Sequence, residues 1–501
     1  MSNQRSKRLS ELASALGVSV SGDGDPVISD IVFDSRQVTP GALFVALRGG
    51  YSDGHDFLVQ ARDRGAVALL VEQGSDLDLP QLVVENSRAS LATVAAEFFD
   101  HPSRALGVIG ITGTDGKTST SMLAEAMLQR HGHRTGLIGT ISIKIGDDAI
   151  DHETRQTTPE SLDIQRLLRR MVDEKVDWVI LEATSHGLAL HRLDHIAFDI
   201  AAVTNITHEH LDFHGSIEAY WQAKAMLFER LDPEKGRAVV NLDDPGACSV
   251  IDYCGDLPIT TYSAGEYRAD LRATNSTLDR FGFQSTIAVF GTGQRVTCPL
   301  LGGFNISNSL CAIGVAMQAG VSLNTAIETL AEPPVIAGRM AMIDEGQLFS
   351  VVVDYAHTPA SLEKVLTLLR SLNPTGRLIV VSGSAGERDI EKRPLQGQVC
   401  ARLADISIFT NEDPRFEDPV AIIDQICEGA IGAGGIESET VYRVEDRAEA
   451  IELAVRLAGD EDTILLAGKG HERSIIIGGE KNPWNEAEAA RSAIRRLRAQ
   501  V

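Results

Sequence analysis

The segment GTDGKTST places Gly113, Gly116, Lys117 and Thr118 between an apolar run ending at Ile111 and a helical stretch after Ser119. Backbone N–H groups of such a loop surround a phosphate, the lysine supplies a point charge, and the threonine hydroxyl is of a type that ligates Mg²⁺. Two residues separate the glycines where the usual P-loop has four, so this is a shortened form. Thr114, Asp115 and Ser119 complete the loop. A carboxylate beside triphosphate oxygens repels them, so Asp115 is expected to face solvent.

Other reactive groups follow apolar runs. Glu182 ends WVILE, at the carboxyl edge of a strand, where α/β sites gather their ligands. The next strand-like run leads into THEHLDFHG, which crowds Glu209, His210, Asp212 and His214 together. Lys224 lies on a helical stretch, AYWQAKAMLFERL, and by pattern alone reads as a lysine whose stem covers apolar surface while its head reaches water. Further on, VVVDYAHTP carries Asp354 and His357, and GSAGERDIEKRP carries Arg388, Asp389, Lys392 and Arg393. NEDPR and GKGHE close two more strands, and loops after parallel strands converge on one crevice.

The elements that must hold these groups alternate between strand and helix patterns. Residues 1 to about 104 carry short strand runs (VISDIVF, GALFVAL, AVALLV, QLVV) and helical stretches, with Leu9, Leu12 and Leu16 at amphipathic spacing. From ALGVIGI onward, TGLIGTISI, SLDIQRLLRRMVDE, WVILEAT and RAVVNLDD predict a doubly wound parallel sheet. A second alternating block runs from FSVVVDYA to TILLAGKG and ends in a helix that starts near Asn485. The fold class is therefore α/β, and 501 residues at roughly 150 per domain give about three domains.

Composition removes several classes. Hydrophobic residues make up 43% and charged residues 23%, which excludes collagen-like and largely disordered chains. The net charge of −24 disfavours a nucleic-acid binder and a polybasic membrane clamp, and leaves local cations to attract any phosphate substrate. The six cysteines contain no CxxC pair, so neither a zinc site nor a disulfide framework is expected. No signal peptide is visible and the longest apolar runs are strand length, so the expectation is a cytoplasmic protein without membrane insertion.

With these segments assembled, the chain resembles the Mur ligases of peptidoglycan precursor synthesis nearly end to end. DSR at Asp34 to Arg36, PGALFVAL, DGHDF at Asp53 to Phe57, TTP at Thr157 to Pro159, GERDIEKRP and AGKGHE carry the resemblance. It implies an N-terminal UDP-sugar-binding domain (1–104), a central ATP-binding domain (105–338) and a Rossmann-like, amino-acid-binding C-terminal domain (339–501). It also implies ATP-dependent ligation of a diamino acid to UDP-MurNAc-L-Ala-D-Glu through an acyl phosphate, by a monomer that uses Mg²⁺ and binds no nucleic acid. Carried over by motif, Gly113, Thr114, Asp115, Gly116, Lys117, Thr118 and Ser119, with Asn305, Arg339, Asp354 and His357, would hold ATP. Thr118, Glu182, His210 and Lys224, the last as an N6-carboxylysine, would ligate Mg²⁺. Lys117, Lys224, His210 and Glu182 would form the catalytic set.

The same carry-over assigns Ser35, Thr157, Thr158, Thr184 and Arg192 to the UDP-sugar substrate, and Arg388, Asp413, Arg415, Gly468 and Glu472 to the amino acid. Thr184 stands where the family usually has Ser, and Glu209 where it has Asp, and both keep the chemistry. Members that add diaminopimelate carry DNPR where this chain has Glu412, Asp413, Pro414 and Arg415. Arg415 suits a distal carboxylate and favours meso-2,6-diaminopimelate. Asp413 suits a bare ammonium and leaves L-lysine or L-ornithine open. A folylpolyglutamate-type ligase shares the loop but lacks the DSR and DGHDF block. A non-catalytic nucleotide-binding scaffold leaves Glu182, Lys224, Arg388 and Arg415 without a task.

Overall fold

The computed structural model describes residues 5–49, 52–150, 156–207, 211–265 and 267–500. The chain forms two compact units, one of Met1–Thr274, Thr286–Gln294 and Ile306–Thr329, the other of Asn275–Ser285, Arg295–Asn305 and Leu330–Val501. The boundary passes through the strands Leu271–Asp279, Gly282–Val289 and Thr292–Cys298.

The first unit opens with a five-stranded sheet in the order Val20–Ser21, Gln81–Val83, Ala66–Val71, Ala42–Val45, Asp30–Val32, parallel except at its first pair. The helix Leu9–Leu16 lays Leu9 and Leu12 into the core beside Leu43, Leu70 and Leu91, as their spacing predicts.

The middle of its larger sheet runs Thr135–Ile138, Trp178–Glu182, Gly107–Thr112, Ile200–Val203, Arg237–Asn241, Ile259–Ser263, these six all parallel, with further strands at both ends. Val108, Ile109, Val179, Ile180 and Leu181 are fully buried, because helices cover both faces of a parallel sheet and its strand interiors are apolar, with polar residues such as Glu182 kept to the strand ends. The strand Gly107–Thr112 has Trp178–Glu182 on one side and Ile200–Val203 on the other, so the connections diverge around the loop that follows it. That is the switch point at which such sheets bind ligands.

One expected strand divides. TGLIGTISI is not continuous: Thr135–Ile138 and Ile143–Ile145 pair antiparallel across a tight turn at Gly139 and Thr140. Continuing the strand through Gly139 would carry the chain past the sheet edge, and the turn returns it to add a hairpin there.

In the second unit a six-stranded sheet has the order Ala341–Met342, Ser350–Asp354, Thr463–Ala467, Leu378–Ser382, Ile406–Phe409, Val441–Arg443, parallel apart from its first pair. Thr358 caps the helix Pro359–Leu372 through the N–H of Ser361, and Asp418 caps Pro419–Gly432. Asn485 accepts from Glu488 N at the start of the last helix, Glu486–Gln500. The six cysteines are free thiols, five of them buried, and behave as small core residues. No helix among the described residues is long and apolar enough to cross a membrane.

Candidate active site

In the first unit the glycine loop leads from Gly107–Thr112 into the helix Lys117–His131. Gly116 has φ +85°, and a Cβ there would stand 2.3 Å from Asn308 Oδ1, so only glycine fits the turn that aims the helix N-terminus. Asn205 braces the loop from the neighbouring strand end, accepting from Asp115 N at 3.0 Å and donating to its carbonyl at 3.1 Å. The Asp115 side chain is exposed, as expected of a carboxylate beside a phosphate site. Lys117 Nζ donates to the carbonyls of Gly113 and Thr114, both at 2.8 Å.

Lys224 does not snorkel. Its side chain is 2% exposed, its Nζ donates to the Gly113 carbonyl at 2.7 Å, and it stands 4.7 Å from the centre of the Tyr220 ring. The helix Ile217–Glu229 turns this lysine inward with Tyr220, Ala223, Leu227 and Phe228. Solvation by water is thus replaced by a loop carbonyl and an aromatic face.

Glu182 is 1% exposed, and its carboxylate is held by three donors: Thr118 Oγ1 at 2.9 Å, Thr140 Oγ1 at 2.8 Å and Thr140 N at 3.1 Å. A Cβ on Gly139 would lie 2.3 Å from Glu182 Oε1, so the hairpin turn is shaped to this carboxylate. Thr140 also shares a hydrogen bond with Thr157 Oγ1 at 3.0 Å. Thr158 donates to the Glu182 carbonyl at 2.7 Å and meets the Thr184 hydroxyl at 2.9 Å, while Arg192 Nη1 donates to the Thr158 carbonyl at 2.9 Å. Thr118, Glu182, Thr157, Thr158, Thr184 and Arg192 therefore form one connected cluster. Ser35 stands apart from it, buried and donating to Gln60 Oε1 at 2.7 Å. Glu209 and His210 lie outside the described residues.

Among the described residues of this cluster, the groups able to ligate a metal are all oxygens. One rigid buried carboxylate beside a hydroxyl at a phosphate loop fits Mg²⁺, which takes few protein ligands and completes its shell with water and phosphate oxygens.

In the second unit, Asp354 ends its strand and accepts from the N–H groups of Met340 and Ala356 at 2.8 and 2.9 Å; burial raises its pKa. Arg339 lies over the Tyr355 ring, and His357, its pKa lowered by burial, shares a hydrogen bond with the Tyr355 carbonyl. Asn305 is buried and donates to the Leu301 carbonyl.

The Glu412 to Arg415 segment sits against the loop carrying Gly468 and Lys469. Asp413 Oδ1 accepts from Lys469 Nζ at 2.9 Å and from Ile476 N at 2.8 Å, and Lys469 Nζ also reaches Glu472 Oε2 at 2.6 Å. Glu412 is buried with Oε2 lacking a partner, and desolvation pushes its pKa up to about 7. Arg415 is half-buried at φ +53°, with its backbone paired to Ile476 and Gly478; its Nε has no acceptor. Arg388 is exposed and makes no ion pair among the described residues. The structure thus gathers Asp413, Arg415, Gly468 and Glu472 and leaves Arg388 outside.

Four neighbours have no motif of their own in the sequence. Gly139 and Thr140 read as strand, and Asn205 is an unremarkable strand-end residue. Lys469 lies inside GKGHE, yet its partner is 56 residues away and the pair is invisible to local spacing.

A switch-point phosphate loop, a clamped carboxylate and a second parallel-sheet unit define a nucleotide-dependent α/β enzyme, and comparison with known proteins narrows it. The model of the Mur ligase middle domain matches residues 111–316, that of the Mur ligase glutamate ligase domain residues 338–470, and that of the Mur ligase family catalytic domain residues 27–107. The chain belongs to the Mur ligase family. A UDP-N-acetylmuramyl-tripeptide synthetase of Roseiflexus sp. (strain RS-1) is 45% identical over 493 residues, covering 94% of this chain and 96% of that protein. A UDP-N-acetylmuramoyl-L-alanyl-D-glutamate--2,6-diaminopimelate ligase of Streptomyces coelicolor is 42% identical over 498 residues, covering 97% and 96%. The solved structure of a ligase of the latter name superimposes with a TM-score of 0.69 at 29% identity, over 97% of this chain and 99% of that one.

Proposed function

We propose that the protein joins meso-2,6-diaminopimelate to the D-Glu side-chain carboxylate of UDP-MurNAc-L-Ala-D-Glu, with ATP converted to ADP and phosphate. A carboxylate is a poor acylating agent until it carries a leaving group. Phosphoryl transfer to it asks the protein mainly for positioning and charge neutralisation. Lys117 and the amides of Gly113 to Ser119 neutralise and orient the phosphates. Asn305, Arg339, Asp354 and His357 take the rest of the nucleotide, and Ser35, Thr157, Thr158, Thr184 and Arg192 take the UDP-MurNAc-dipeptide. Thr118, Glu182, His210 and carbamylated Lys224 would hold Mg²⁺, which supplies charge neutralisation at the transferring phosphoryl group.

Carbamylation suits Lys224 because a buried ammonium is costly: once it gives up a proton the free amine adds CO₂ and releases a second proton, and the resulting anion, which Mg²⁺ would neutralise, keeps one N–H for the Gly113 carbonyl. The amine of diaminopimelate then displaces phosphate from the acyl phosphate, with Arg415, Asp413, Gly468 and Glu472 placing the amino acid and Arg388 joining from its exposed loop. In this reading residues 1–104, 105–338 and 339–501 act as UDP-sugar, ATP and amino-acid domains of a cytoplasmic monomer.

The observation that carries the choice of diaminopimelate is the pairing at residues 413 and 415. The Asp413 charge is already met by Lys469 and a backbone N–H, so it is not free to select a side-chain ammonium, whereas Arg415 retains an unspent Nε edge for a distal carboxylate. The test is phosphate release with ATP, Mg²⁺ and UDP-MurNAc-L-Ala-D-Glu, run in parallel with meso-diaminopimelate, L-lysine and L-ornithine, with products weighed by mass spectrometry. Turnover with diaminopimelate is the expected result. Turnover only with lysine or ornithine rejects the choice of amino acid, and none with any amine rejects the ligase.

A further inference from the structure

Glu160 follows the Thr157 to Pro159 segment and sits between two arginines from different layers of the first unit. Arg88, on the helix Ser87–Phe98 that packs on the N-terminal sheet, donates through Nη1 to both Glu160 oxygens at 2.8 Å. Arg192 reaches Glu160 Oε1 through Nη2 at 2.9 Å. The three side chains are only 20%, 13% and 12% exposed for Arg88, Glu160 and Arg192.

The Arg192 guanidinium is thereby pinned at two corners, by Glu160 and by the Thr158 carbonyl, while its Nε is buried and lacks a protein acceptor. Two guanidiniums on one carboxylate leave a net positive charge in a chain whose total is −24. With Nη1 taken by Thr158 and Nη2 facing Glu160, the Nε–H is the donor left for an oxygen of a carboxylate or phosphate. The network also reaches back into the N-terminal layer. Arg88 Nη2 donates to the Arg48 carbonyl at 3.3 Å, the Arg48 guanidinium lies 3.2 Å from Glu72, and Glu72 accepts from Ser87 at the start of the Arg88 helix.

We propose that Glu160 is a positioning residue for the anionic substrate: it holds the Arg192 fork in register so that its Nε edge meets an acidic group of the UDP-MurNAc-dipeptide. This rests on the function proposed above. An arginine left to rotate loses much of its rotamer freedom on binding, whereas one fixed beforehand does not, so Glu160 acts on affinity for one substrate. A mere staple between layers would act on stability and on every substrate alike.

The experiment measures KM for each substrate, kcat, melting temperature and calorimetric binding of UDP-MurNAc-L-Ala-D-Glu in wild type, Glu160→Gln, Glu160→Asp and Arg88→Met. Loss of the carboxylate in Glu160→Gln is expected to raise KM and Kd for the dipeptide about tenfold or more, with KM for ATP and diaminopimelate unchanged. Glu160→Asp recovers part of the loss, and Arg88→Met, which spares the pair with Arg192, gives a smaller shift of the same selectivity. Unchanged dipeptide binding in Glu160→Gln overturns the proposal, as does an equal rise in all three KM values. If Glu160→Gln does not fold, Glu160→Asp and Arg88→Met carry the same test. Wild-type protein that binds no UDP-MurNAc-dipeptide overturns the parent reading and this one with it.

Discussion

At the scale of single residues, the environment of a charge decides its task. Lys224 looks like a surface lysine in sequence and is a buried one in the fold. Lys224→Ala is expected to abolish ligation, and acetate or formate in the assay to restore part of it by supplying the missing carboxylate; full activity in the unsupplemented variant would remove the carbamate. Asp413 and Arg415 invite opposite choices of amino acid until Lys469 is seen to occupy the aspartate. Arg415→Ala should therefore raise KM for diaminopimelate by about 10²-fold, since a charged hydrogen bond to a carboxylate is worth roughly 2–3 kcal/mol. It should not produce lysine turnover, which the same phosphate-release assay reads, because Asp413 stays paired. The phosphate loop and Glu182 were legible because a glycine turn and a strand-end carboxylate are local patterns, whereas Asp413, Arg415, Gly468 and Glu472 were grouped only through their motif resemblance. The Asp413–Lys469 and Glu160–Arg192 pairs were not legible, because they join segments distant in sequence.

At the scale of elements, one turn and one loop carry most of the constraint. The strand and helix runs were legible from apolar periodicity, except where TGLIGTISI conceals a hairpin whose two arms are both apolar and extended. That turn is shaped to Glu182. Gly139→Ala drives a methyl to about 2.3 Å from Glu182 Oε1 and should cost most of the activity while far-UV circular dichroism is unchanged. Thr140→Val removes one donor from the carboxylate and should weaken Mn²⁺ binding, followed by electron paramagnetic resonance with ADP, whereas Thr140→Ser keeps it. The loop bearing Glu412 gives a pH signature. Its pKa rises from 4.5 to about 7 on burial, so the folded state is favoured below the unfolded value and loses that advantage as pH climbs through 7, by about 3 kcal/mol in all. Glu412→Gln should melt higher than wild type at pH 8 and alike at pH 4.5, measured by calorimetry.

At the scale of the molecule, local cations work against a strongly acidic whole. The charge of −24 disfavours nucleic-acid binders by sequence alone, yet it does not reveal that Arg88 and Arg192 share the Glu160 carboxylate or that Arg88 also donates to the Arg48 carbonyl. Nor does the alternation of strands and helices reveal how the chain is apportioned. It passes between the two compact units after residues 274, 285, 294, 305 and 329, so neither unit is a single stretch of polypeptide. A fragment beginning at residue 330 lacks 275–285 and 295–305 and should be trapped in inclusion bodies or show a broad, non-cooperative melt; a sharp melt would contradict this. The interlacing also bears on inheritance. A single recombination breakpoint between residues 331 and 341 would exchange the stretch that carries Asp413, Arg415 and Lys469 while leaving 275–285 and 295–305 from the other parent, so the second unit would be assembled from two parents. Compatibility at the Asp413–Lys469 pair is preserved by such an exchange, because both partners travel in the same stretch, whereas contacts to 275–285 and 295–305 are the ones put at risk.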